Sequence, residues 1–225
     1  MNVRAYVAEF ISTFALVFIG VAAIANNAGG LVGVALAHGL ALCVMITATA
    51  AVSGGHVNPA VTIGLLVTGK IDLPNAIGYI VSQCLGAVAA SLVLLAAIPG
   101  GAAMLAGGTP ALAKDVSTAG GIIMEAVMTF FLVFAVYGTA VDARAPRLGG
   151  LLIGLTVTLD ILAGGPYTGA AMNPARHLGP ALLSGSSAHM AAIWLYWVGP
   201  ALGGAVAGLV YHHVLWAPQP TRKAA

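Results

Sequence analysis

The sequence predicts an all-α membrane protein with six transmembrane helices and two re-entrant half-helices, arranged as an inverted repeat. Three observations predict it. First, the chain is 60% hydrophobic and only 6% charged, with a mean hydropathy of +1.01. A soluble domain carries roughly 25% charged residues, so this chain has too few to cover a water-facing surface. Second, its apolar stretches fall into two length classes, one long enough to cross a bilayer and one half that long. Third, the two halves of the chain repeat one another.

Crossing about 30 Å of hydrocarbon takes roughly 20 apolar residues in a helix. Met1 to Arg4 precede an apolar run longer than a signal-peptide core of about 7–15 residues, so that run reads as the first span. The spans are predicted at 5–26, 31–52, 75–97, 120–141, 148–164 and 190–213. Two pieces, 59–68 and 174–184, are too short to span. As helices each rises about 15 Å, so two meeting end to end would cross the bilayer once. Cys43 and Cys84 lie inside apolar stretches and read as buried free thiols. A net charge of +2 argues against a nucleic-acid partner.

Three motifs recur at nearly one offset. Glu9, Thr13, Phe14, Leu16, Val17 and Phe18 return as Glu125, Thr129, Phe130, Leu132, Val133 and Phe134. Asn58-Pro59-Ala60 returns as Asn173-Pro174-Ala175, and Tyr79, Val81, Leu85 and Gly86 return as Tyr196, Val198, Leu202 and Gly203. The chain therefore reads as a single domain over 1–225, with repeat halves at about 1–110 and 115–225. Each half holds three spans, an odd number, so the second half enters from the opposite face and the repeat is inverted. With a cytoplasmic N-terminus, Arg4, Lys70, Arg144, Arg147, Arg222 and Lys223 fall on the cytoplasmic side. Lys114 alone falls outside, and both termini are cytoplasmic.

Asn is a favoured N-cap and Pro a favoured first helical residue, so each short helix begins at its Asn-Pro. The inverted repeat brings the two N-termini together near the midplane. The Gly-rich approaches, Ser53-Gly54-Gly55-His56-Val57 and Thr168-Gly169-Ala170-Ala171-Met172, must be buried in protein or line a wet cavity at that depth. Their carbonyls offer acceptors along a single file of water. Each helix N-terminus carries roughly +0.5 of an elementary charge, so two facing ends repel cations, hydronium included. A water that accepts from both Asn amides cannot also accept from its neighbours, which interrupts a proton wire.

The stretches Ser53 to Thr62 and Met172 to Arg176 resemble the two signatures of the aquaporin, or major intrinsic protein, family. The repeated Glu-x-x-x-Thr-Phe motif matches as well, and the resemblance covers nearly the whole chain. It implies a water channel that is not an enzyme and needs no cofactor or metal, in a homotetramer with one pore per subunit. It also maps a selectivity filter onto His38, Ile161, Ala170 and Arg176. That set departs from the Phe, His, Cys or Thr, and Arg of strict water pores. It is similar to plant tonoplast members, some of which resemble pores for ammonia, urea or hydrogen peroxide. Glycerol facilitators resemble Trp, Gly, Phe and Arg, and the Asp after their Arg is His177 here. An aquaglyceroporin-type glycerol or urea facilitator is the alternative.

Glu9 and Glu125 sit inside spans, where an unpaired carboxylate is costly. They read as structural supports that accept from backbone donors of the re-entrant loops, and the resemblance implies the same. His56 reads as part of that scaffold. Asp160, beside Ile161, has two open readings: facing a helix partner or orienting His38. The steps Gly199-x-x-x-Gly203 and Gly204-x-x-x-Gly208 read as close helix contacts. A secondary transporter would need coupling-ion ligands at the midplane, where this chain has two Asn and apolar neighbours. An intramembrane enzyme would need a nucleophile and base or a metal set, and His38, His56 and His177 lie on separate elements. Short loops and tails point to a prokaryotic plasma (inner) membrane, with lipid, water and small neutral solutes such as ammonia as partners.

Overall fold

The computed structural model describes residues 2–146 and 148–216. Arg147, Arg222 and Lys223, counted above among the cytoplasmic cations, lie outside the described residues. The helices are α1 (Val3–Ala25), α2 (Gly30–Ser53), α3 (Pro59–Leu66), α4 (Leu73–Ala97), α5 (Gly101–Gly108), α6 (Thr118–Val136), α7 (Gly149–Thr168), α8 (Pro174–Leu183) and α9 (Ser187–Val210). Single π-helical turns, Tyr137–Val141 and Tyr211–Leu215, extend α6 and α9. Six of these helices are long and apolar enough to cross a membrane, and α3 and α8 are the two half-length helices.

The packing follows the inverted repeat. α1 lies along α4 as α6 lies along α9, and α1 meets α2 as α6 meets α7. The two halves interlock: α8 packs on α4, α3 packs on α9, and α2 runs against α7. The half-helix of each half therefore rests on the last span of the other.

Small residues make these contacts close. A Cβ on Gly203 would lie 2.0 Å from the Ala126 carbonyl oxygen, and one on its repeat partner Gly86 would lie 2.4 Å from that of Phe10. The two glycine steps of α9 serve different neighbours. Gly199 and Gly203 face α6, whereas Gly204 and Gly208 face Ala60 and Gly64 of α3. Dispersion between backbones at this range replaces the hydrophobic driving force, which is absent between helices in lipid.

Two expectations change. The segment 101–108 forms a helix, α5, that apolar spacing did not reveal because it is too short to span. Its Leu105 is fully buried beside Val17, Val21 and Leu94. The fifth span does not stop at 164. It runs on through Pro166 to Thr168, because the Gly169 N–H still reaches the Gly165 carbonyl at 3.0 Å and Pro removes only its own donor.

Replacing Gly203→Val is expected to destabilise the protein by ~1–3 kcal/mol or more through overpacking against α6. The check is thermal unfolding in detergent, where Ala at the same position should cost less.

Candidate functional site

Between the two half-helices, non-helical backbone runs through the middle of the bundle, and its conformation is the same in both halves. Gly54 and Gly169 have φ of 84° and 76°, Gly55 and Ala170 have 66° and 44°, and Val57 and Met172 have 57° and 50°. Three of these are not glycine, and a left-handed conformation costs such a residue roughly 1–3 kcal/mol. The surrounding bonds hold them there.

Those bonds centre on two buried carboxylates. Glu9 Oε1 accepts from Ser53 Oγ at 2.7 Å and the His56 N–H at 2.9 Å. Its Oε2 accepts from the Val57 N–H at 2.6 Å and from Gln83 Nε2 at 2.7 Å. Glu125 repeats the pattern. Its Oε1 accepts from Thr168 Oγ1 at 2.7 Å and the Ala171 N–H at 2.9 Å, and its Oε2 from the Met172 N–H at 2.7 Å. Tyr79 and Tyr196 donate their hydroxyls to the Ser53 and Thr168 carbonyls at 2.8 and 2.7 Å. A carboxyl group at this depth is tolerated because its oxygens are hydrogen-bonded, with four donors on Glu9 and three on Glu125.

The two asparagines tie the halves together. Asn58 Oδ1 accepts from the Ala60 N–H at 2.8 Å. Asn173 Oδ1 accepts from the N–H groups of Ala175 and Arg176 at 3.0 and 3.2 Å. These bonds are the N-caps of α3 and α8, and they fix which way each amide points. Asn58 Nδ2 then donates to the Met172 carbonyl at 2.8 Å, and Asn173 Nδ2 to the Val57 carbonyl at 3.0 Å. Each amide has two N–H groups. One is spent across the repeat, which leaves the other for the lumen.

The lumen is a narrow passage. The backbone side includes Gly55, His56, Ala171 and Met172, and the opposite wall is apolar, with Leu42, Leu132, Ile153 and Val157. Asn58 and Asn173 both line it. Pro59, Ala60, Pro174 and Ala175 are buried behind it, where they start the helices. Of the remaining residues expected along the lumen, Gly54 borders the mouth on the Arg144 side and Gly169 the opposite mouth. Val57 is fully buried. The Met172 carbonyl accepts from Asn58 and keeps a second lone pair, and the Val57 carbonyl accepts from Asn173 and from Thr13 Oγ1 at 3.2 Å.

His38, Ile161, Ala170 and Arg176 converge on one end of this lumen. His38 Nδ1 lies 2.8 Å from the Val34 carbonyl and must donate to it. Nε2 is therefore an acceptor, and it faces Arg176 Nη2 at 3.3 Å. Arg176 Nη1 donates to the Gly108 carbonyl at 2.9 Å, so α5 presents the acceptor that fixes the guanidinium. Asp160 does not orient His38. Its Oδ2 is buried without a hydrogen-bond partner among the described residues.

Several contributors carried no readable signal. Gly20 is one. A Cβ there would lie 2.3 Å from His38 Nε2, so α1 makes the room in which the imidazole stands. The Gly108 carbonyl is another, since a backbone acceptor has no side-chain signature. Ser53 and Thr168 lay in the expected loop approaches, and Tyr79 and Tyr196 in the repeat. Only contact reveals their roles.

Buried re-entrant loops, two facing half-helices and a narrow lumen define a polytopic membrane protein built around a pore. The profile of the major intrinsic protein family matches residues 1–211, and the chain belongs to that family. The chain is 48% identical to aquaporin TIP4-4 of Zea mays, over 96% of this chain and 88% of that one. It is 45% identical to aquaporin TIP2-1 of Arabidopsis thaliana, over 95% and 88%. The aquaglyceroporin of Plasmodium falciparum superposes with a TM-score of 0.85 at 28% identity, covering 96% of this chain and 97% of its own. The plant relatives lend no support to the prokaryotic membrane expected from the short loops.

Gly20→Ala is expected to drive the His38 ring toward the lumen and lower osmotic water permeability severalfold in proteoliposomes. Glu125→Gln turns an amide donor toward the loop N–H groups. It is expected to cost ~1–3 kcal/mol, read as a lower melting temperature in detergent.

Proposed function

We propose that the chain is a passive transmembrane channel for water that also passes small neutral solutes such as ammonia and excludes protons and ions. The observation that carries the reading is the pair of cross-bonded asparagines. Each leaves one N–H for the lumen, at the point where two helix N-termini face each other. A water oxygen there accepts from both amides and turns its hydrogens outward, so it cannot relay a proton. The facing dipoles and Arg176 oppose cations.

The filter reading assigns His38 and Arg176 as the polar half of the constriction and Ile161 and Ala170 as the apolar half. One apolar wall lowers the cost of admitting a solute that offers fewer hydrogen bonds than water. In this reading Glu9 and Glu125 support the loops, and Gly54, Gly55, His56, Val57, Gly169, Ala171 and Met172 form the path's backbone. The names of the plant relatives support the water channel. The family resemblance supports a homotetramer with one pore per subunit, and the distribution of Lys and Arg supports cytoplasmic termini.

The test is stopped-flow shrinkage of proteoliposomes under an impermeant osmolyte, paired with a pH-dye assay of proton leak and an ammonia pulse. The expected result is fast shrinkage with a shallow temperature dependence, no proton leak, and ammonia entry above bare lipid. Water flux without ammonia entry would remove the wider-filter part. Glycerol flux comparable to water would favour the aquaglyceroporin reading.

A further inference from the structure

We infer that His177 is a positioning residue: its imidazole braces Tyr196, and through it the filter loop, in the place that His56 fills in the first half of the chain. The inference rests on the reading of Ala170 and Arg176 as filter residues.

The comparison of the two halves carries it. In the first half, His56 sits in the loop two residues before Asn58. Its ring meets that of Tyr79 edge-on, with centroids 4.8 Å apart, and Tyr79 holds the Ser53 carbonyl. Thr62 Oγ1 donates to the Asn58 carbonyl, so it accepts from Gln83 Nε2 at 3.1 Å and from His56 Nδ1 at 3.0 Å. The first half thus runs a polar chain from Glu9 through Gln83 and Thr62 to the imidazole.

The second half keeps the carboxylate, as Glu125, but has none of the other three side chains at the matching positions. The repeat offset puts Ala171 where His56 is, His177 where Thr62 is, and Pro200 where Gln83 is. Yet an imidazole again lies against the tyrosine. His177 stacks on Tyr196 with centroids 4.0 Å apart and planes 16° apart, and both residues are fully buried. Tyr196 holds the Thr168 carbonyl, and the Thr168 hydroxyl accepts from the Ala170 N–H at 3.1 Å. Arg176 is the adjacent residue in the first turn of α8. One ring therefore steadies the loop on both sides of the filter. The imidazole has moved from the loop to the half-helix while keeping its tyrosine.

The test transplants the first-half arrangement. His177→Thr installs the first-half residue and removes the brace. Adding Ala171→His restores an imidazole at the first-half position. Each protein is measured in proteoliposomes for urea and water permeability and in detergent for melting temperature. His177→Thr is expected to raise the urea-to-water ratio about twofold or more, up to the roughly tenfold ceiling that the free energy of a lost aromatic stack sets. The double variant is expected to return toward the wild-type ratio.

A folded single variant with the wild-type ratio overturns the inference, as does a ratio that rises equally in the double variant. If His177→Thr does not fold, recovery of folded protein by Ala171→His supports the brace, and failure of both overturns it. If the unaltered protein passes no water above lipid, the proposed function fails separately. The brace is then judged by whether the second substitution recovers the melting temperature.

Discussion

Everything in this structure depends on satisfying non-helical backbone at the depth of a bilayer. Water is absent from the hydrocarbon, so each loop N–H must find a partner inside the protein. Glu9 and Glu125 provide it. Each receives two consecutive backbone N–H groups and a loop hydroxyl through its two oxygens. The carboxylates are held at that depth by the same donors, so loop and acid are stable only together. Their bonds offset the left-handed backbone at Val57, Ala170 and Met172.

The second layer is reciprocity between the halves. Each asparagine caps its own helix with its oxygen and reaches the opposite loop with its nitrogen. The halves are bonded reciprocally, since the Val57 and Met172 carbonyls each accept from the asparagine on the other side of the repeat. The packing obeys the same logic, with α3 on α9 and α8 on α4. The central amides are thereby fixed in register with both helix ends. The larger asymmetries lie away from the asparagines. Gln83 gives Glu9 a further donor that Pro200 cannot give Glu125, and the imidazoles of His56 and His177 reach equivalent tyrosines from different chain positions.

Much of this was legible in the residues. Hydropathy located the spans, because length and apolarity are the bilayer's only demands on a lipid-facing helix. Asn-Pro at two places located α3 and α8, because capping chemistry is local. The offset between Glu9 and Glu125 showed the repeat, and the odd number of spans in each half made it an inverted one. Helix α7 runs four residues past the expected stop at 164, because Pro166 inside it costs only its own missing donor. Helix α5 was missed because eight residues neither span nor show a strong period.

What the sequence by itself determined is the membrane class, the span order, the inverted topology and the identity of the capping residues. Each follows from interactions over a few residues, from the repeat or from composition. The tertiary structure decided how those residues meet. It brought Gly108 under Arg176, opened space at Gly20 for His38, joined Asn58 to Met172 and Asn173 to Val57, and set His177 on Tyr196. Hydrogen bonds and close packing between distant segments depend on distances of a few tenths of an ångström. No local pattern encodes such distances, because they arise only when both halves of the chain have closed on one another.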